Sequence, residues 1–301
     1  MIIVIMGPTA SGKSTFVEQI HRYFNNPLIV NADAFQIYKD MDIGTAKIEK
    51  NDPLRESYSL LDVVSPNQTY SSRDYQKDFR NSVDKAIKDK RDVIVVGGTG
   101  LYVKAALYDY DFVDKKEGNG KSFDSTNLSN EELYYLLQKG DPISASKIHI
   151  NNRKRVIRAL EILAETGKTK SSIIDSQNHK LIYSDVYFFF VNPNREELYS
   201  KINERVDKMF EKGLVEEVKT LLNKYCLSIT AKQAIGYQEV IEYLQGNSSL
   251  EAAKEAIKKR TRNYAKRQIT FFKHQFEAKE YTSFNDLKIE IEEWRNINDK
   301  R

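Results

Sequence analysis

The segment Gly7-Pro8-Thr9-Ala10-Ser11-Gly12-Lys13-Ser14 has the residue types and spacing of a phosphate-binding loop, G-x-x-x-x-G-K-[ST]. Glycines let the backbone turn its N–H groups toward phosphate oxygens, and the N-terminus of the following helix favours negative charge. Lys13 can reach a terminal phosphate, and the Ser14 hydroxyl can ligate Mg²⁺. We therefore expect a phosphorylated ligand at this loop, with Mg²⁺ as the cofactor.

Two further polar residues follow predicted strands. Asp33 comes after the apolar run Leu28–Asn31, and Thr99 comes after Val93–Val96. In an open α/β sheet the ligand crevice lies beyond the carboxyl ends of the strands, so both residues should face the crevice of the phosphate-binding loop. Each residue also has a purely structural alternative. Asp33 would be a helix cap or part of a surface turn, and the Thr99 hydroxyl would bond to its own backbone. From the residues alone, both interpretations stay open.

The loop by itself does not decide between phosphoryl transfer and another use of a phosphorylated ligand. An ordinary kinase or NTPase carries a second acidic residue at the end of a later strand to hold Mg²⁺. Here Val93–Val96 runs into Gly97-Gly98-Thr99-Gly100, which contains no acid. This argues against a nucleotide or small-molecule kinase, which remains an alternative.

Short apolar runs alternate with amphipathic stretches, which predicts an α/β fold with a parallel sheet flanked by helices. The C-terminal third is highly charged and predicted to be helical. The predicted strands are Ile2–Met6, Leu28–Asn31, Leu60–Val64, Val93–Val96 and Val186–Val191. The predicted helices of this sheet are Ser14–Phe24, Tyr75–Lys90 (with Phe79, Val83, Ala86 and Ile87 on one face) and Glu196–Lys224.

The distance between the last two strands far exceeds one crossover helix with its loops. We therefore predict a core of residues 1–107 and 184–301 and a mostly helical insertion, residues 108–183. Within the insertion, the polar segment Lys115–Asn127 predicts a mobile loop. Ser129 precedes a predicted helix that buries Leu133, Leu136 and Leu137, and Asn151-Asn152 precede another that buries Val156, Leu160 and Leu163.

Bulk composition excludes several classes of protein. The 301 residues contain a single cysteine, Cys226, so an internal disulfide framework and a cysteine-rich zinc site are ruled out. We find no apolar run long enough to cross a bilayer, and the N-terminal run is too short for a signal peptide. We therefore expect a cytoplasmic protein with no membrane partner, and a monomer. The net charge of +4 neither requires nor excludes a nucleic-acid partner.

Six further motifs follow one another along the chain: Asn31–Lys39, Met41–Lys47, Val96–Tyr102, Arg158–Glu161, Ile235–Tyr237 and Ala265–Thr270. Together these motifs are much more specific than the phosphate-binding loop alone. In matching order, from residue 2 to about residue 275, the chain resembles the tRNA dimethylallyltransferases.

The resemblance implies that the loop, with Mg²⁺, holds the diphosphate of dimethylallyl diphosphate as a leaving group. The implied acceptor is the exocyclic N6 amine of the adenine immediately 3′ of the anticodon in tRNA. Asp33 matches the general base, Thr99 the residue between the amine and the diphosphate, and Arg205 an arginine near the diphosphate. A prenyltransferase acting on free adenine nucleotides and a non-catalytic RNA-binding module remain alternatives.

Two basic stretches are candidates for tRNA contact. Lys154, Arg155 and Arg158 lie at the start of the last insertion helix, and Lys259, Arg262, Lys266 and Lys273 share one face of a C-terminal helix that also carries Arg267. A solvated helix face is the plain interpretation. Beside an RNA-modifying crevice, these residues are expected to contact phosphates of the anticodon stem-loop. The resemblance adds Asp33, Ala34, Phe35, Gln36, Gly236 and Tyr237 to the expected tRNA contacts.

Overall fold

A computed structural model describes residues 1–112, 123–177 and 179–298, with side chains described up to residue 293. It contains a six-stranded parallel sheet in the order β3-β2-β4-β1-β5-β6. The predicted α/β fold is confirmed. The strands are β1 Ile2–Met6, β2 Leu28–Asn31, β3 Tyr58–Ser59, β4 Val93–Gly97, β5 Val186–Val191 and β6 Lys279–Tyr281.

Helices flank the sheet and form most of the C-terminal part of the described chain. Short 3₁₀ segments follow α1, at His21–Tyr23, and precede β3, at Pro53–Ser57. The α-helices are α1 Lys13–Ile20, α2 Ser72–Lys88, α3 Gly100–Leu107, α4 Asn130–Gly140, α5 Pro142–Lys147, α6 Arg153–Thr166, α7 Lys170–Asp175, α8 Arg195–Glu211, α9 Leu214–Lys224, α10 Ile229–Lys232, α11 Tyr237–Leu244, α12 Leu250–Gln275 and α13 Phe284–Asn298.

The central strands β1 and β4 are buried along their whole length, which is why their sequences lack the polar alternation of half-exposed strands. Ile3 and Ile5 pack in one cluster with Phe16 of α1 and with Leu287 and Ile291 of α13. Full burial of such side chains contributes about 1.5–3 kcal/mol each. The ends of β1 and β4, near the candidate site, are thus anchored in the buried centre of the sheet.

The predicted strand Leu60–Val64 is wrong. Leu60 and Asp62 have φ of 62° and 54°, in the left-handed region that a strand excludes. The actual strand, β3, is the two-residue segment before them. The amide of Asn31 donates to the Leu60 carbonyl at 2.9 Å and so binds this turn to the end of β2.

Two helix predictions also need correction. Glu196–Lys224 is not one helix, because Gly213, at φ 94°, separates α8 from α9. In α2 the buried face contains Tyr75, Phe79, Val83 and Ala86, whereas Ile87 is 44% exposed.

The chain divides into two compact units, residues 1–106 with 183–301, and residues 107–182. These limits fall one residue from the predicted ones. In the second unit Leu133, Leu137, Val156 and Leu160 share one apolar cluster, while Leu136 is 38% exposed, contrary to prediction. Leu163 is half-buried, and the Asn152 side chain precedes α6 without making a cap hydrogen bond. The loop predicted at Lys115–Asn127 lies in part outside the described residues.

Candidate active site

The phosphate-binding loop lies between β1 and α1, where the sequence predicts it. Its backbone passes through two left-handed residues, Ala10 at φ 62° and Gly12 at φ 92°. Lys13 begins α1, and its Nζ donates to the carbonyls of Gly7 at 3.0 Å and Pro8 at 2.7 Å. The first N–H groups of a helix have no partner inside the helix. The loop therefore brings an ammonium group and a helix N-terminus to the same place.

Arg205 on α8 adds a second cation. Burial, and then the charge of Arg205, lower the pKa of Lys13 to about 7, while the carboxylate of Asp33 acts in the opposite direction. Burial also lowers the pKa of Arg205, again opposed by Asp33. Two cations thus share one carboxylate, and an anion placed beside them would stabilise both charged forms. These charges favour an anion-binding site.

Asp33 follows β2, and neighbouring polar groups fix its turn. Asp33 N–H donates to Asn31 Oδ1 at 3.1 Å, and Phe35 N–H donates to Asp33 Oδ1 at 2.9 Å. Asn31 is only 2% exposed, so its side chain is a buried support for the turn. Because one carboxylate oxygen is held by a backbone N–H, the orientation of the Asp33 side chain is set locally.

Thr99 meets the same turn from the end of β4. Thr99 N–H donates to the Ala32 carbonyl at 3.0 Å, and Ala34 N–H donates to Thr99 Oγ1 at 3.0 Å. Gly97 allows this approach, because a Cβ at that position would lie 2.2 Å from the Ala32 oxygen. The two strand ends predicted to share a crevice are thus joined directly.

Tyr264 of α12 also faces these strand ends. Burial raises the pKa of Tyr264, and the charge of Asp33 raises it further, while hydrogen bonding with Thr99 and Gln268 acts in the opposite direction. The phenol is therefore a neutral hydrogen-bonding group beside the carboxylate.

Gln268 is a site residue that the sequence analysis missed. It is 4% exposed; its Oε1 accepts from Thr9 N–H at 2.8 Å, and its Nε2 donates to the Gly98 carbonyl at 2.8 Å. The available signal was a polar residue on the apolar face of α12, between buried Ala265 and Phe272. A buried amide needs partners, and here the partners are two site loops.

The site opens into two cavities. The larger has a volume of about 1080 Å³, and its walls include Lys13, Ser14, Asp33, Gln36 and Arg205. The smaller has a volume of about 60 Å³ and an apolar wall of α8, α12 and the segment before α11. Asp33 and Arg205 line both cavities, so the carboxylate lies where the two spaces approach each other.

The residues expected to contact tRNA around Asp33 are divided between these cavities and the core. Gln36 lines the larger cavity and Phe35 the smaller one, and Ala34, which precedes both in sequence, is half-buried. Gly236 and Tyr237 are buried, and the Tyr237 hydroxyl donates to Glu217 at 2.7 Å. The expectation that Gly236 and Tyr237 contact tRNA directly therefore needs correction, because neither residue has an exposed surface in this structure.

The basic residues of α12 differ in how far they are engaged with the protein. Arg262 donates to Asn203 Oδ1 at 2.7 Å, and Lys273 pairs with Glu280 at 3.0 Å. Lys259, Lys266 and Arg267 are exposed, with the Arg267 guanidinium 5.6 Å from the Tyr264 ring centroid.

In the second unit, the basic residues lie on α6. Lys154, Arg155 and Arg158 are exposed, and Arg158 pairs with Glu161 at 3.0 Å. Arg153 is different: its guanidinium donates to the carbonyls of Leu128 at 2.8 Å and Ser125 at 2.9 Å. It therefore stabilises the chain segment before α4.

Comparison with known proteins decides the family. The family model described as IPP transferase matches residues 36–275. The chain belongs to the IPP transferase family. Within this family, the chain is 39% identical over 289 residues to the tRNA dimethylallyltransferase of Anoxybacillus flavithermus, covering 96% of this chain and 92% of the relative. It is 41% identical over 302 residues to the enzyme of the same name from Thermoanaerobacter sp., covering 96% of each.

Solved structures of the family have the same fold. The tRNA delta(2)-isopentenylpyrophosphate transferase of Staphylococcus epidermidis has a TM-score of 0.70 and 35% identity, over 100% of this chain and 99% of that one. A eukaryotic dimethylallyltransferase acting on tRNA has a TM-score of 0.77 and 29% identity, over 93% and 73% of the two chains. In the part of this chain that the structure describes, none of the helices has the length and apolar character needed to span a membrane.

Proposed function

We propose that this protein transfers the dimethylallyl group of dimethylallyl diphosphate to the exocyclic N6 amine of the adenine immediately 3′ of the anticodon in tRNA. The observation that carries the proposal is the meeting of Lys13, Arg205 and Asp33 at one cavity. The two cations suit a departing diphosphate, and the carboxylate suits the proton of an amine. Relatives of nearly full length that are named for this reaction support the choice of donor and acceptor.

In the transfer step, the bond between C1 of the dimethylallyl group and the diphosphate oxygen breaks, and the electron pair leaves with the diphosphate. The N6 lone pair forms the new bond to C1. Lys13, Arg205 and the first N–H groups of α1 stabilise the charge that develops on the leaving group. Since that charge grows in the transition state, these groups accelerate the reaction as well as binding the donor.

The adenine amine is a weak nucleophile because its lone pair is delocalised into the ring. Asp33 takes the proton that N6 loses as the new bond forms. The N–H of Phe35 holds one oxygen of this carboxylate at 2.9 Å and so keeps it oriented. Thr99 Oγ1 accepts from Ala34 N–H at 3.0 Å, and its O–H turns from Tyr264 to a diphosphate oxygen when the donor binds.

The residues beside the donor fit Mg²⁺. Ser14 is exposed on the wall of the larger cavity, next to Lys13, and offers a hard oxygen ligand. Among the described residues there is no group of three His, Cys, Asp or Glu side chains that could hold a metal by itself. This suits an ion that takes few protein ligands and binds mainly to phosphate oxygens. When bound, Mg²⁺ supplies positive charge to the diphosphate.

The tRNA surface of the core includes the exposed basic residues of α12 and the loop after Asp33, and α6 of the insertion supplies further phosphate contacts. The target adenine leaves its stack to reach Asp33, as bases do in other base-modifying enzymes. The contacts proposed for tRNA are Asp33, Ala34, Phe35, Gln36, Lys154, Arg155, Arg158, Arg262, Lys266, Arg267 and Lys273.

One assay separates the competing functions. The protein is incubated with labelled dimethylallyl diphosphate, Mg²⁺ and either unmodified tRNA or AMP, and with ATP in a parallel reaction. We expect label in tRNA and none in AMP. Label in AMP alone would identify a free-nucleotide prenyltransferase, and ATP turnover without label transfer would identify a kinase or ATPase.

A further inference from the structure

Glu217 on α9 binds the loop between β2 and β3. Its Oε2 accepts from the N–H groups of Asp42 at 3.0 Å and Ile43 at 2.7 Å. Its Oε1 accepts from Gly44 N–H at 3.1 Å and from the Tyr237 hydroxyl at 2.7 Å. Each carboxylate oxygen thus accepts two hydrogen bonds, and bonds to a charged acceptor are stronger than neutral ones.

Tyr237 adds a packing surface to this support. Its side chain is fully buried, and a Cβ added at Gly44 would lie 2.5 Å from the Tyr237 ring. Only a glycine lets the loop backbone lie this close to the ring. The loop is therefore held by charge-assisted hydrogen bonds on one side and by steric contact on the other.

The support reaches the candidate site through the next residue, Thr45. The Thr45 carbonyl accepts from Arg205 Nη2 at 3.1 Å and from Gln36 Nε2 at 3.1 Å. Arg205 is one of the two cations beside Asp33, and Gln36 lines the larger cavity. The position of one carbonyl oxygen therefore sets the orientation of a guanidinium and an amide in the site.

We infer that Glu217 is a positioning residue for the transfer reaction. It fixes the Thr45 carbonyl, and through that carbonyl it aligns Arg205 with the diphosphate and Gln36 with the acceptor side of the cavity. The inference rests on the proposed function. Glu217 itself does not touch the reacting atoms, so its loss changes alignment and not the chemistry of the base.

The test is Glu217→Gln, which keeps the shape of the side chain but replaces one acceptor oxygen by an NH₂ group. That group cannot accept from the backbone N–H groups it faces. We expect kcat per folded molecule to fall about tenfold or more, since small displacements in an active site cost up to about a hundredfold. The KM for dimethylallyl diphosphate should rise several-fold.

The matched control is Glu216→Gln on the same helix. Glu216 is exposed and pairs with Lys219 at 2.8 Å, away from the loop. This control should keep both kinetic constants of the wild type. Tyr237→Phe removes only the hydroxyl and keeps the ring against Gly44, so its kcat should fall by less than that of Glu217→Gln.

Amide hydrogen exchange at residues 42–46 gives a readout that does not depend on turnover. We expect faster exchange there in Glu217→Gln and not in Glu216→Gln. The inference would be overturned if Glu217→Gln kept the kcat, the KM and the amide exchange rates of the wild type. It would also be overturned if the variant had fewer active molecules but the kcat and KM of those molecules were unchanged. If Glu217→Gln does not fold, Tyr237→Phe decides, and wild-type constants in that variant overturn the inference.

Failure of the proposed function is seen separately, in the wild-type protein of the same series. If the wild type transfers no label, the function is rejected. The effect of Glu217 on Arg205 can then still be tested by measuring the affinity for inorganic diphosphate by calorimetry. Equal affinity in wild type and Glu217→Gln would overturn it, and several-fold weaker binding would support it.

Discussion

Gln268 accepts a hydrogen bond from the backbone N–H of Thr9 at 2.8 Å, which ties α12 to the phosphate-binding loop. The other end of the same amide donates to the Gly98 carbonyl at 2.8 Å. The side chain is buried, so water does not compete for either bond. One residue therefore fixes the loop that carries Lys13 relative to the turn that carries Thr99.

We predict that Gln268→Leu destabilises the protein and lowers turnover. Leucine leaves Thr9 N–H and the Gly98 carbonyl without this partner, and a buried unpaired group costs about 1–3 kcal/mol. Urea unfolding and kcat for tRNA prenylation measure the two effects. The control is Thr270→Ala, an exposed site on the same helix, where we expect a change within about 0.5 kcal/mol. Equal stability of the two variants would show that the Gln268 bonds contribute nothing.

We predict that Asp33→Asn keeps the fold and donor binding but lowers kcat by about a hundredfold or more, the range expected on loss of a general base. The asparagine carbonyl can still accept from Phe35 N–H, so the turn is retained. Single-turnover transfer and calorimetric binding of the donor measure the two properties. Glu204→Gln removes a negative charge from the wall of the same cavity and serves as the control. Unchanged turnover in Asp33→Asn would remove this residue from the base role.

The sequence predicts the strands that form the site because these strands are continuous apolar runs. β1, β2 and β5 begin and end at the predicted residues. The strand predicted at Leu60–Val64 is wrong because this segment is mostly apolar, yet Leu60 and Asp62 adopt left-handed backbone conformations that end the strand before them. This turn is stabilised by the amide of Asn31, which is distant in the chain, so the local hydrophobic pattern of the sequence does not predict it.

The sequence predicts the proposed catalytic positions, and it does not predict the residues that support them. Asp33 and Thr99 follow strands, so topology alone brings them together. The backbone groups that bond to Gln268 and Glu217 lie 170 or more residues away in the chain, which no spacing rule reveals. Tyr237 belongs to a recognisable motif, yet its side chain is buried against Gly44, which the motif does not reveal.

We predict that donor capture weakens as the pH rises above about 7. The pKa of Lys13 is lowered to about 7, so its ammonium is present below that pH and is progressively lost above it. A diphosphate binds the ammonium form, and kcat/KM for dimethylallyl diphosphate reports ionisations of the free enzyme. At pH 8, binding should therefore take up protons, which calorimetry in buffers of different ionisation enthalpy measures.

The control for this pH dependence is Lys13→Arg, because a guanidinium stays charged throughout the range. Its overall activity is expected to be lower, but the proton uptake assigned to Lys13 should disappear. Any proton uptake or release by the donor itself remains in both proteins and is subtracted. The same alkaline decline and the same uptake in Lys13→Arg would assign the ionisation to another group.

We predict that Lys266→Gln and Arg267→Gln weaken tRNA binding without changing capture of the donor. Both residues are exposed on α12, and neither is engaged in an ion pair with the described residues. For each phosphate that the variant no longer neutralises, the slope of log affinity against log salt should become shallower by roughly 0.7–0.9. Lys219→Gln is the control, because Lys219 is exposed on α9 and already paired with Glu216. A protein that neutralises fewer phosphates must release fewer counterions when it binds. If the tRNA affinity of these variants therefore had the same salt dependence as that of the wild type, this face of α12 would be excluded from the RNA interface.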